Sequence, residues 1–140
     1  MIKILHRKRK RLSFLMANVA ISVVSFIVIS LSGTFFSVSV FEHHSNAFKL
    51  LEYGFSRSWV FGIICELVYI TAGVLIVIVN IQRLRDMGYR MPITISILLI
   101  LLGFASSGFS WLAGVNFISM TIDVGLIIFF FIMLFTSSKA

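Results

Sequence analysis

From Ser13 to Phe41 the chain carries no charged side chain. A second apolar run, Trp59 to Gln82, is broken only by Glu66. A third starts at Pro92, and a fourth runs from Phe117 to Thr136 with Asp123 inside it. A helix needs about 20 apolar residues to cross the hydrocarbon core. The pattern therefore predicts transmembrane helices at about 13–39, 59–82, 92–113 and 117–136. Together they make an all-α, polytopic four-transmembrane-helix bundle, a single integral membrane domain over 1–140. Gly114-Val115-Asn116 is the one turn available between the last two runs, which predicts an antiparallel hairpin there.

Composition supports this class. The chain is 59% hydrophobic and 12% charged, with a mean hydropathy of +1.07. Soluble domains carry about 25% charged residues, so this chain lacks the polar surface to coat a soluble globule. The net charge of +7 is not read as a nucleic-acid signal. In a membrane protein, excess Lys and Arg set topology and meet anionic lipid. Six basic residues, Lys3, Arg7, Lys8, Arg9, Lys10 and Arg11, precede the first run. That run is too long for a signal-peptide core of about 7–15 residues, so it reads as a retained span. Counted over alternate segments, Lys and Arg divide ten against two. The positive-inside rule then places both termini and the Arg83–Pro92 loop in the cytoplasm.

The outer loop contains a candidate interfacial helix, with Phe48, Leu51 and Phe55 on one face. Glu42, His43 and His44 lie beside it. Adjacent histidines diverge on a helix and no second ligand pair completes a zinc site, so they read as solvated loop residues. Cys65, the one cysteine, has no disulfide partner and reads as an inert thiol. No metal, cofactor or catalytic constellation is expected, and the chain reads as a non-enzyme.

The cytoplasmic loop is the densest charged stretch, "NIQRLRDMGYRMP". Gly88 suits a helix C-terminal cap and Pro92 the first turn of the next helix. Arg83 and Arg85 complement the helix dipole and would meet lipid phosphates. Asp86 in a last helical turn is unfavourable by a few tenths of a kcal/mol, which a pair with Arg83 or Arg90 would offset. "RLRDMGYR" also resembles the R-L-H-D-x-G-x-S-G-W signature of a family of small bacterial inner-membrane proteins catalogued as domain of unknown function 805. Arg83, Leu84, Asp86 and Gly88 match, Arg85 replaces the family's histidine, and Tyr89 to Pro92 replace its continuation. The resemblance implies a multi-pass protein of the bacterial inner membrane and no particular activity.

Within the spans, polar residues recur at helical spacing. Gly62, Glu66, Tyr69, Gly73 and Asn80 share one face of the second run. Asn18, Ser25, Ser32 and Ser39 share one face of the first, and Ser96, Gly103, Ser107, Ser110 and Gly114 form a stripe on the third. Small and hydroxylated residues let helices approach closely in lipid, so these are expected packing seams, with Asn18, Tyr69 and Asn80 as their polar members. Glu66 and Asp123 each cost about 2.5–3.5 kcal/mol to insert, which predicts that both face the bundle. Glu66 lies seven residues from Trp59 and Asp123 seven from Asn116, both at the outer end, about 10 Å deep at ~1.5 Å per residue. Two carboxyl groups at one depth can form an intramembrane acidic pair sharing a proton; the alternative reading is a neutral acid hydrogen-bonded to Tyr69 or to a serine.

Three functions fit these features. The first is a structural or regulatory partner in the membrane, possible as a homo-oligomer or with another membrane protein; an immunity protein against a pore-forming toxin is one version. The second is a small oligomeric proton- or cation-coupled transporter built on Glu66 and Asp123. The third is a pore former of the holin type.

Overall fold

The apolar runs are helical in the computed structural model, which describes residues 10–37, 47–114 and 116–137. Five helices form: α1 (Arg11–Phe35), α2 (Ala47–Arg57), α3 (Trp59–Asp86), α4 (Pro92–Ala113) and α5 (Phe117–Phe135). No strand occurs among the described residues. All but the short α2 are long and apolar enough to cross a membrane. Glu42, His43, His44 and Lys139 lie outside the described residues.

Both ends of α3 and the starts of α4 and α5 have chemical causes. The Ser58 side chain accepts a hydrogen bond from the Phe61 N–H at 3.4 Å and opens α3. Gly88 (φ 83°) closes it: the Gly88 N–H donates to Arg85 O and the Tyr89 N–H to Leu84 O, each at 3.0 Å. That double bond pattern needs a left-handed residue, and glycine takes it without a Cβ clash. Pro92 begins α4, where its missing N–H costs nothing. Asn116 and Ser119 form a reciprocal capping box at the start of α5. The predicted α4–α5 hairpin follows from that sharp restart.

The long helices pack in a ring: α1 on α3, α3 on α4, α4 on α5, and α5 back on α1. At the end of the bundle where α2 packs, Ile29, Leu50, Phe61 and Cys65 form a buried cluster. At the opposite end, beside the α3–α4 turn, Phe14, Val79, Leu84, Met87 and Met133 form another. The remaining apolar side chains mostly face outward, as they must where lipid rather than water surrounds the bundle. Outward threonines satisfy their hydroxyls within their own helices. Thr71 donates to Leu67 O at 2.8 Å and Thr121 to Phe117 O at 2.7 Å.

The amphipathic α2 does form, but it is less an interfacial raft than a docked element. Leu50 and Gly54, not Phe48 and Leu51, are its most buried positions. Two glycines allow the close approach to α3. A Cβ on Gly54 would sit 2.9 Å from the Phe61 ring, and one on Gly62 would sit 2.5 Å from the Phe55 ring. The far side of α2 is tied to α4: the Trp111 indole N–H donates to Glu52 Oε2 at 2.8 Å, and Phe48 stacks on Trp111 at 6.1 Å.

Candidate functional site

The charged loop is organised by Arg83, which is fully buried. Its Nη1 donates to Asp86 Oδ2 at 2.5 Å, one turn on in the same helix. Its Nε donates to Met133 O at 2.6 Å and its Nη2 to Thr136 O at 2.5 Å. Those carbonyls end α5, where the last turn has no helical donors left to satisfy it. One guanidinium therefore caps α5, neutralises Asp86 and ties the end of α3 to the end of the last helix. Its planar fork suits three acceptors at once, which an ammonium would not. The pairing of Asp86 with Arg83 follows the electrostatic reasoning from sequence. The lipid-phosphate role expected of Arg83 does not hold, because the α5 carbonyls and Asp86 occupy its donors away from the surface. Leu84 is buried beside it and Gly88 makes the cap; Arg85 is half-buried.

The two intramembrane acids are placed apart. Asp123 accepts a hydrogen bond from Ser106 Oγ of α4 at 2.5 Å, and that hydroxyl also lies 3.2 Å from Ser119 O. Glu66 lies on the exposed flank of α3. No hydrogen bond or ion pair joins Glu66 to Asp123 among the described residues. Spacing from the helix ends speaks to depth and leaves azimuth open. In the packing order α4 stands between α3 and α5, and Ser106 takes the Asp123 carboxyl before it can reach α3. Both acids are exposed at the bundle surface, so the expectation that they face inward is corrected. Ser106 was not singled out from sequence, because the stripe drawn through Ser107 and Ser110 passes beside it.

The polar seam is divided. Asn18 and Asn80 line one open-sided cavity of about 390 Å³ to which all the long helices contribute, together with Gly73, Gly103 and Ser107. Tyr69 lines a separate cavity of about 270 Å³ between α1, α2 and α3. The Asn18 amide donates to Phe14 O of its own helix at 2.9 Å. Asn80 is 93% buried. Among the described residues no group of three or more metal-ligating side chains comes together. No family model, curated protein or solved structure matches the chain.

Proposed function

We infer that the chain is a non-enzymatic, multi-pass protein of the bacterial inner membrane, with both termini cytoplasmic, that acts by assembling with a partner inside the bilayer. The observation that carries this reading is Glu66, exposed on the outside of α3 at a depth where lipid would surround it. A carboxyl group facing hydrocarbon costs about 2.5–3.5 kcal/mol, and a partner helix removes that cost by supplying a donor. The described spans offer no cation to do so from a second copy at that depth. Arg83 lies at the opposite end of α3 with its donors engaged. The partner is therefore a transmembrane helix with a Lys, Arg or amide donor about 10 Å from the outer surface. The charge bias and the loop's likeness to small inner-membrane proteins support the location and the orientation.

The carrier alternative would rest on two acids sharing a proton, and these have separate surroundings. Assembly size tests the preferred reading. In mild detergent from native membranes, the protein should migrate well above its 15.8 kDa monomer mass. Glu66→Leu should shift it to monomer, and Glu66→Gln, which keeps hydrogen bonding, should retain the assembly. Wild-type protein running as a monomer, or Glu66→Leu leaving the assembly intact, would reject the proposal. Proton flux in proteoliposomes of the purified chain would favour the carrier.

A further inference from the structure

The cavity between the two packed ends of the bundle has a lining chemistry of its own. Its walls carry no charged side chain. Phe48, Phe104, Phe129 and Phe130 supply aromatic surface, and Met133 a thioether. Asn80 lines it, is 93% buried, and makes no side-chain hydrogen bond among the described residues. Asn18 lines it too, and its Oδ1 accepts no hydrogen bond there. The Asn80 amide opens onto the cavity, and an amide without a protein partner inside a membrane bundle marks a place where something else supplies the bond. Gly73 and Gly103 face the space from α3 and α4. A Cβ on Gly73 would meet nothing within 4 Å, so glycine there leaves room rather than allowing close helix contact.

We propose that this cavity binds a neutral, lipid-soluble ring compound bearing a carbonyl or phenolic hydroxyl, the chemistry of a quinone headgroup, with its oxygen on Asn80. The absence of charge in the walls disfavours a phospholipid headgroup, whose phosphate would be left without a counter-charge. An acyl chain would fill the apolar space but leave the Asn80 amide unsatisfied. A flat ring matches the phenylalanine faces by offset or edge contacts and the Met133 sulfur by an edge contact, and its oxygen completes the amide. The volume of about 390 Å³ falls within the range of small-molecule sites. The site stands apart from the Glu66 surface and does not depend on the partner reading.

Trp111 provides the readout, because it stacks on Phe48, which lines the cavity. In a Trp59→Phe background Trp111 is the sole tryptophan. The purified full chain in mild detergent is titrated with a decyl-substituted benzoquinone, with decanol as the ringless control. Saturable quenching of Trp111 that decanol does not displace is expected. Asn80→Leu should weaken it about tenfold or more, since each 1.4 kcal/mol is a factor of ten. Gly73→Phe should abolish saturation while leaving thermal unfolding unchanged or raised, because the new ring occupies open space. Quenching that is non-saturable in the Trp59→Phe protein, or equal in all three proteins, would overturn the proposal. If Asn80→Leu fails to fold, Gly73→Phe decides alone; if both fail, displacement by decanol rejects the ring requirement and its absence upholds it.

Discussion

Replacing Arg83 by Met removes one side chain and strands several groups. Asp86 loses its counter-charge in a nearly water-free setting, and Met133 O and Thr136 O lose their donors. Breaking a buried ion pair by removing one partner costs about 3–5 kcal/mol. Total stabilities run about 5–15 kcal/mol, so this one change should take a large share. At 1.4 kcal/mol per decade, the folded-to-unfolded ratio should fall by roughly two to three and a half decades. Arg83→Lys keeps the charge but loses the planar fork. It should cost about one charged hydrogen bond, roughly 1.5–3 kcal/mol. Asp86→Ala should lower folded yield more than Lys139→Ala does. The double change Arg83→Met with Asp86→Leu removes both charges together, so it should cost less than the two single changes added. Equilibrium unfolding in mixed micelles, followed by circular dichroism, measures these variants together with the Asp86→Leu single change. An Arg83→Met cost below about 0.5 kcal/mol, the size of an ordinary surface change, would refute the clamp, as would strict additivity in the double mutant.

The other predictions concern packing, capping and threading. Gly54→Val should destabilise by about 1–3 kcal/mol through overpacking against the buried Phe61 ring, whereas Gly108→Ala, with nothing within 4 Å, should be silent in the same thermal unfolding assay. Asn116→Ala should cost about 1 kcal/mol by removing the α5 cap, read by the same assay. Reporter fusions in the Arg83–Pro92 loop should give a cytoplasmic signal and fusions at His43–His44 an outer one; the reverse would invert the topology.

Hydrophobic runs, the Gly88 and Pro92 punctuation and the Asn116 turn are local signals, and they locate the helices and their ends from the sequence. The partners of Arg83 are not legible that way. Two of them are backbone carbonyls more than 45 residues away, and a carbonyl has no residue identity to read. Asp86, one turn along the same helix, was legible because its position follows from helical spacing. The fate of Asp123 depended on which helix stands beside α5, and spacing within a helix says nothing about ring order. The seam of Asn18 and Asn80 was legible as a polar face, while the cavity they line also takes Gly73 and Gly103, which come from different helices.

The proposed assembly at Glu66 is tested most directly by a photo-crosslinking amino acid placed at Ile70, an exposed position one turn from Glu66, and irradiated in native membranes. A second probe at Ile128 on the exposed surface of α5 serves as the control. The account predicts a discrete crosslinked polypeptide from position 70 that is lost with Glu66→Leu, and none in common with position 128. Lipid adducts alone at position 70, in protein that is folded and inserted, would contradict it.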